Sequence, residues 1–197
     1  MKAIANFLFE VGMLKKTPRS GYQFLGSGRE SVAEHCFRTT VIGYVLSLHE
    51  TEADPHRTVL LCLMHDLHEA RTGDLNYVNK RYVNADEDKA LEDLAAGLPF
   101  GGDITDLVRE FNAGESTEAR LARDADQLDL ILELKEQLDL GNRYASDWLA
   151  YAVKRLQSSS AKAMAEGILD TDSTEWWFEK RTDLWVNATS NSKRKEE

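Results

Sequence analysis

Apolar positions in this chain recur at intervals of three and four and show no sustained alternation, the period of helices that pack on one face rather than of strands. Ile4, Phe7, Leu8, Val11 and Leu14 describe a first amphipathic helix. Residues 15–30 break the pattern: Pro18, three glycines and four cations predict a long irregular connection. A second helix begins where Ser31-Val32-Ala33-Glu34 spells a capping box, and its inward stripe holds Val32, His35, Thr39, Ile42 and Leu46. A third takes Asp54 as N-cap and Pro55 at its first position, where a missing N–H costs nothing. It is expected to run to about Arg71 and to stop at Thr72-Gly73. Residues 59–64 are apolar on every side, which predicts a helix buried all round at the centre of the fold.

Residues 74–84 are polar and irregular. Further helices are predicted near 85–96, 103–112, 116–140 and 146–166. Ser173 is expected to cap a short aromatic helix holding Trp176, Trp177, Phe178 and Trp185, read as core or as a subunit contact. The fold class is therefore all-α, a single-domain helical bundle over residues 1–187, followed by a polar tail, 188–197, expected to be disordered.

Composition narrows the partners. There are 24 Lys plus Arg against 34 Asp plus Glu, a net charge of -10, so the molecule as a whole repels phosphate backbones and a nucleic-acid polymer is not an expected partner. A small anion remains compatible, because local cations or a metal can outweigh the global field. The two cysteines, Cys36 and Cys62, lie in apolar helical contexts, and there is neither a signal-peptide pattern nor a membrane-length apolar run. The reading is a reduced, cytoplasmic protein.

The candidate chemistry gathers around Leu60-Leu61-Cys62-Leu63-Met64-His65-Asp66-Leu67-His68-Glu69, where an apolar run meets ionisable side chains that are tolerated inside a fold mainly when paired or bound to a metal. His35 interrupts an inward face, His65 and Asp66 end a buried helix, and Asp126 sits in an apolar strip between Ala122 and Leu130. Taken alone, each has an ordinary explanation as a satisfied core histidine or a solvated carboxylate. Together they offer two imidazoles and two carboxylates from three helices, a mixed N/O set suited to one divalent transition metal such as Mn, Fe, Co, Ni or Zn. Asp124 and Asp129 are the alternatives to Asp126. Glu69, one turn after His65, is placed to orient a water and pass protons; its ordinary alternative is an ion pair with Arg71 or Lys80. His68 reads as a neighbour of the ligands or a surface residue, and His49 and His56 as surface residues.

The ordered set Ser-Val-Ala-Glu-His35, Met-His65-Asp66-Leu-His-Glu69-Ala, Thr-Gly-Asp74-Leu and Asp126-Gln-Leu-Asp resembles the HD-domain metal-dependent phosphohydrolases over about residues 3–185, and within them the 5'-deoxynucleotidase branch. Pro18-Arg19-Ser20-Gly21-Tyr22 resembles the arginine-plus-aromatic segment of that branch, with Ser20 and Gly21 set between the two. The resemblance implies a phosphomonoesterase acting on (deoxy)nucleoside 5'-monophosphates. It implies His35, His65, Asp66 and Asp126 as metal ligands, and Glu69 as the residue that handles the attacking water. Arg19 would be a phosphate contact, with Tyr22 as the accompanying aromatic. Asp74, counted with Glu69 among the catalytic carboxylates, would be a contact near the sugar. It also implies a homodimer, for which the Trp-rich C-terminal region and the first helix are the candidate surfaces. Two other classes stay open: another HD-type enzyme acting on nucleoside triphosphates or cyclic nucleotides, and a non-catalytic helical module that binds a metal or nucleotide.

Overall fold

The computed structural model describes residues 1–178, so Trp185 and the polar tail lie outside the described residues. Ten α-helices are found there: α1 (Lys2–Val11), α2 (Tyr22–Leu25), α3 (Val32–Ser47), α4 (Pro55–Met64), α5 (Glu69–Thr72), α6 (Glu87–Ala95), α7 (Gly101–Ala113), α8 (Thr117–Asp139), α9 (Ala145–Ala152) and α10 (Ser159–Asp170). Short 3₁₀ turns follow α1 at Gly12–Lys15, precede α6 at Asn79–Arg81, and follow α9 at Val153–Arg155. Among the described residues there is no strand, only an isolated antiparallel bridge between Pro18 and Ser31. That bridge matters for position. Arg19 N–H donates to Glu30 O at 2.8 Å and Val32 N–H to Thr17 O at 2.9 Å, so the irregular segment is pinned to the start of α3.

The helix starts follow their caps. Ser31 Oγ accepts from Glu34 N–H while the Glu34 carboxylate accepts from Ser31 N–H, the reciprocal arrangement its sequence predicts. Asp54 accepts from His56 N–H with Pro55 in the first turn.

The centre of the bundle is α8 rather than the third helix. It packs against α3, α4, α7, α9 and α10 and buries Ala119, Leu121, Ala122, Ala125, Leu128, Ile131 and Leu134. Helix α4 buries Thr58, Leu61 and Cys62, while Leu60 and Leu63 are 40% and 43% exposed, so the expectation of burial all round is corrected. An apolar run says that several faces avoid water, not which neighbour covers them.

Two predicted helices are broken. The third stops at Met64, because Leu67, Glu69 and Ala70 donate backbone N–H bonds to the residues three before them, Met64, Asp66 and Leu67. The chain tightens there before α5 resumes, and α5 ends at Gly73 with φ +72°. The helix expected over 146–166 divides at Leu156, whose backbone is extended. Ser158 then caps α10, accepting from Ala161 N–H. Over the described residues the aromatic helix predicted after Ser173 does not form: residues 173–177 make turns stabilised by Asp172 accepting from Thr174, and the rest of that prediction, to Trp185, lies outside the described residues.

Helices α3 and α4 pack tightly at Gly43, where an added Cβ would run into Cys62 Sγ. Gly43→Ala should therefore destabilise the protein by about 1–3 kcal/mol, despite alanine's better helix propensity, as overpacking usually does. Pairing it with Cys62→Ala should recover much of the loss. Urea unfolding of the two variants checks this, and an unchanged midpoint for Gly43→Ala would contradict the packing described.

Candidate metal centre

Three elements deliver four side chains to one buried place: His35 from the first turns of α3, His65 and Asp66 from the tightened end of α4, and Asp126 from the middle of α8. His35 Nε2 lies 3.3 Å from Asp126 Oδ1 and 3.7 Å from Asp66 Oδ2, and His65 Nε2 lies 3.1 Å from Asp66 Oδ2. The two imidazole rings meet edge to face at 5.4 Å.

The tautomers follow from the partners behind the rings. His65 Nδ1 is 2.8 Å from Cys62 O; a carbonyl only accepts, so Nδ1 carries the hydrogen and the Nε2 lone pair faces the centre. His35 Nδ1 is 2.6 Å from Asp129 Oδ2, and a carboxylate partner leads to the same assignment. Both Nε2 atoms are buried and make no hydrogen bond. Buried nitrogens without partners are costly, and the donor atoms of His35, His65 and Asp126 lie within 4.8 Å of one another. A divalent metal fits this mixed donor set. Cys36 also borders His65 and Asp66, where burial and then Asp66 push its thiol well above the usual range.

Electrostatics mark the same spot. Burial alone would lower His35, as does Arg19, but Asp126 and Asp129 outweigh both and hold it up at about 10. Asp126 is drawn down to about 2, its burial opposed chiefly by His35, and Asp66 is drawn below the usual carboxylate range mainly by His65. Glu69 goes the other way: burial, then the charges of Asp66 and Asp74, raise it to about 9. It is 8% exposed, and its Oε2 has no hydrogen-bond partner.

Arg19 reaches in from the pinned segment, its Nη1 3.6 Å from Asp66 and 4.0 Å from Asp74, its Nε 4.0 Å from Glu30. Asp74 is engaged by Ser20, whose N–H and Oγ–H donate to its Oδ2 at 2.5 and 3.1 Å. Ser20 Oγ also touches Asp74 O and Asn76 N–H, tying the Arg19 segment to the one after α5. Tyr22 is buried, and its hydroxyl is committed to Glu30 at 3.3 Å.

A model of the HD domain matches residues 11–168. The chain belongs to the HD-domain family. This HD-domain protein is 30% identical over 148 residues to human 5'-deoxynucleotidase HDDC2, with 72% of each chain covered. It is 25% identical over 144 residues to the 5'-deoxynucleotidase hdd1 of Schizosaccharomyces pombe, covering 68% of this chain and 72% of the relative. Among solved structures it is similar to the PH0347 protein of Pyrococcus horikoshii, with TM-score 0.70, 30% identity, and coverage of 84% of this chain and 98% of that one. A predicted metal-dependent phosphohydrolase from Magnetospirillum magnetotacticum shares the fold, with TM-score 0.68 at 24% identity, over 86% of this chain and 90% of that one.

Within this HD-domain protein the structure brings together His35, His65, Asp66, Asp126, Glu69, Arg19 and Asp74. It does not bring Glu69 to Arg71, which pairs instead with Glu10 and Asp93. His68 is buried rather than on the surface, with Nε2 3.7 Å from Glu87, while His49 and His56 are exposed. Sequence reasoning missed Ser20, Glu30 and Arg38. None sits in a periodic pattern that announces a site, although Arg38 follows His35 by one turn.

The alternatives to Asp126 have other work. Asp124 is 1% exposed, and its two carboxylate oxygens each accept a backbone N–H at 2.8 Å, from Gln157 and Ser158, closing the break before α10. Asp124→Ala should cost about 2–4 kcal/mol of stability, since two charge-assisted bonds from part-buried backbone donors to a buried carboxylate are lost. Metal content per folded chain should be unchanged. Thermal unfolding together with metal analysis checks both, and loss of metal in a folded Asp124→Ala protein would overturn this division.

Proposed function

We propose that this protein hydrolyses nucleoside 5'-monophosphates, deoxy forms in particular, to nucleoside and phosphate. It would use one divalent transition metal held by His35, His65, Asp66 and Asp126. The observation that carries the reading is the convergence of two buried, partnerless Nε2 atoms with two carboxylates beneath Arg19 and Glu69. The relatives named 5'-deoxynucleotidase support the substrate class.

A metal bound there supplies charge neutralisation for phosphoryl oxygens and a water made nucleophilic near neutral pH. The protein's own groups do the rest. Arg19 is held among Asp66, Asp74 and Glu30, so its guanidinium is ready to clamp a phosphate without being free to wander. Burial and the charges of Asp66 and Asp74 favour the protonated form of Glu69; the charge of a bound metal would favour its carboxylate, whose unpartnered Oε2 could then accept a proton from the attacking water and return it to the departing 5'-oxygen. Asp74 keeps Oδ1 for a sugar hydroxyl while Oδ2 holds Ser20.

A cleft of about 330 Å³ beside Asp126, lined by Phe111, Asn112, Arg123, Gln127, Arg155 and Gln157, gives room for the nucleoside. The larger cleft, about 520 Å³ beside His68, is rimmed by Asp86, Glu87 and Asp88, which repel a phosphate.

We also assign a homodimer to this protein. Phe37, Val41, Tyr44, Val45 and Leu48 form an exposed apolar stripe down α3, joined on α4 by exposed Leu60 and Leu63. These join the first helix and the Trp-rich C-terminal region as candidate surfaces. A cytoplasmic setting belongs to the same reading: Cys36 and Cys62 are free and buried, and no helix among the described residues is long and apolar enough to cross a membrane.

Glu69→Gln should keep metal and substrate binding while kcat falls by roughly 10² to 10⁴, the usual share of a positioned acid or base. Arg19→Ala should raise KM and lower kcat together. His35→Ala, His65→Ala, Asp66→Ala and Asp126→Ala should each lose metal, and His49→Ala should keep it. A panel of ribo- and deoxynucleoside mono- and triphosphates, run with metal analysis, is the test. Wild-type turnover by Glu69→Gln beside a dead Asp74→Ala would reverse the two carboxylates, and hydrolysis of triphosphates alone would replace the substrate class. Val41→Asp with Leu48→Asp should convert a dimer to a monomer in light scattering; a monomeric wild type at micromolar concentration contradicts the dimer.

A further inference from the structure

The face of His35 turned away from the centre is as densely built as the centre itself. Nδ1 meets Asp129 Oδ2 at 2.6 Å, with His35 and Asp129 each 0% exposed. The other oxygen, Oδ1, accepts from Arg38 Nε at 2.5 Å. Arg38 is held in turn by Glu133 through Nη2 and by Glu136 through Nη1 at 3.1 Å, and its Nη2 lies 3.9 Å from Glu30. Asp129 thus has both oxygens spoken for, one by the imidazole and one by a guanidinium that is itself clamped from three sides. His65 differs, since a neutral carbonyl stands behind it.

We infer that Asp129 is a positioning residue for the metal centre: it fixes His35 in the Nδ1–H tautomer with Nε2 aimed at the ion and, as a carboxylate, makes that imidazole the more basic ligand of the pair. Arg38 holds Asp129 in the rotamer that does so. A carboxylate behind a metal-binding histidine orients the ring and strengthens it as a donor, and its removal typically weakens metal binding 10- to 100-fold.

A rival use of the same atoms is a second cation site, because donor atoms of Glu30, His35 and Asp129 lie within 4.8 Å of one another. Arg38 argues against it. Its guanidinium already supplies the positive charge among Glu30, Asp129, Glu133 and Glu136, and an Nδ1 that carries hydrogen has no lone pair to offer.

The inference rests on the metal centre of the proposed function, and its test separates the two. Full-length protein is stripped of metal and titrated with Co²⁺ against a chromophoric chelator at one pH. Wild type should bind one Co²⁺ per chain. Asp129→Asn, which keeps the size and an accepting oxygen but not the charge, should bind it 10- to 100-fold more weakly. Glu133→Gln, which leaves Arg38 its bonds to Asp129 and Glu136 and touches no histidine, should keep the wild-type affinity. Side-chain ¹⁵N NMR of wild type should show His35 with hydrogen on Nδ1 in the metal-loaded state, a readout that needs no variant to fold. Unchanged affinity in Asp129→Asn, an equal loss in Glu133→Gln, or the opposite tautomer overturns the role of Asp129. Two Co²⁺ per chain would favour the second site instead, and no uptake by wild type overturns the centre itself.

Discussion

Everything in this fold answers to the cost of burying ions. Imidazoles, carboxylates and the guanidiniums of Arg19 and Arg38 lie in or beside a helical core, where an unpaired charge costs several kcal/mol even after relaxation. The protein meets that cost by giving nearly every buried polar atom a partner and leaving a small set without one. His35 Nε2, His65 Nε2 and Glu69 Oε2 are in that set, and they lie around one centre. The site is therefore visible as a deficit: the bonds that α3, α4 and α8 do not make among themselves are the ones that, in the proposed function, an ion and a substrate would supply.

Holding such a deficit open requires a stiff frame. Helix α8 is that frame, with Ala119, Ala122 and Ala125 at 0% exposure letting neighbouring helices come close. Gly43 does the same where α3 meets α4. The tightened turn after Met64 has the opposite character. By drawing Leu67, Glu69 and Ala70 into bonds with the residues three before them, it brings His65, Asp66 and Glu69 to the centre along a path that an unbroken α-helix would not follow.

Sequence period and cap chemistry made most of this legible. The capping box at Ser31, the Asp54-Pro55 start and the extent of α8 were all readable, because each is a local interaction between residues two to four apart. The breaks at 64–68 and 156–158 were not. The second depends on a partner far along the chain: Asp124 accepts from Gln157 and Ser158, some thirty residues on, and no window of sequence contains both ends of such a bond. The covering of α4 was unreadable for the same reason, since Leu60 and Leu63 look as apolar as Leu61. At the site, the ordered histidines and aspartates could be read as a set, whereas Ser20, Glu30 and Arg38 could not, being polar residues whose importance comes from what the fold lays against them.

The run Asp124-Ala125-Asp126-Gln127-Leu128-Asp129 shows how far composition stops short of role. Three aspartates lie within six residues of one helix, and the two that do not face the metal centre are the more deeply buried, at 1% and 0% exposure. Asp124 satisfies the backbone that opens α10, Asp129 stands behind His35, and Asp126, whose side chain is 25% exposed, faces the histidines and the adjoining cleft. Depth of burial alone would have pointed instead to Asp124 or Asp129, whose oxygens already have partners. A group that must exchange a proton or a water for a metal has to keep one side accessible, while a carboxylate that only orients its neighbours can be sealed completely, provided that both of its oxygens are occupied.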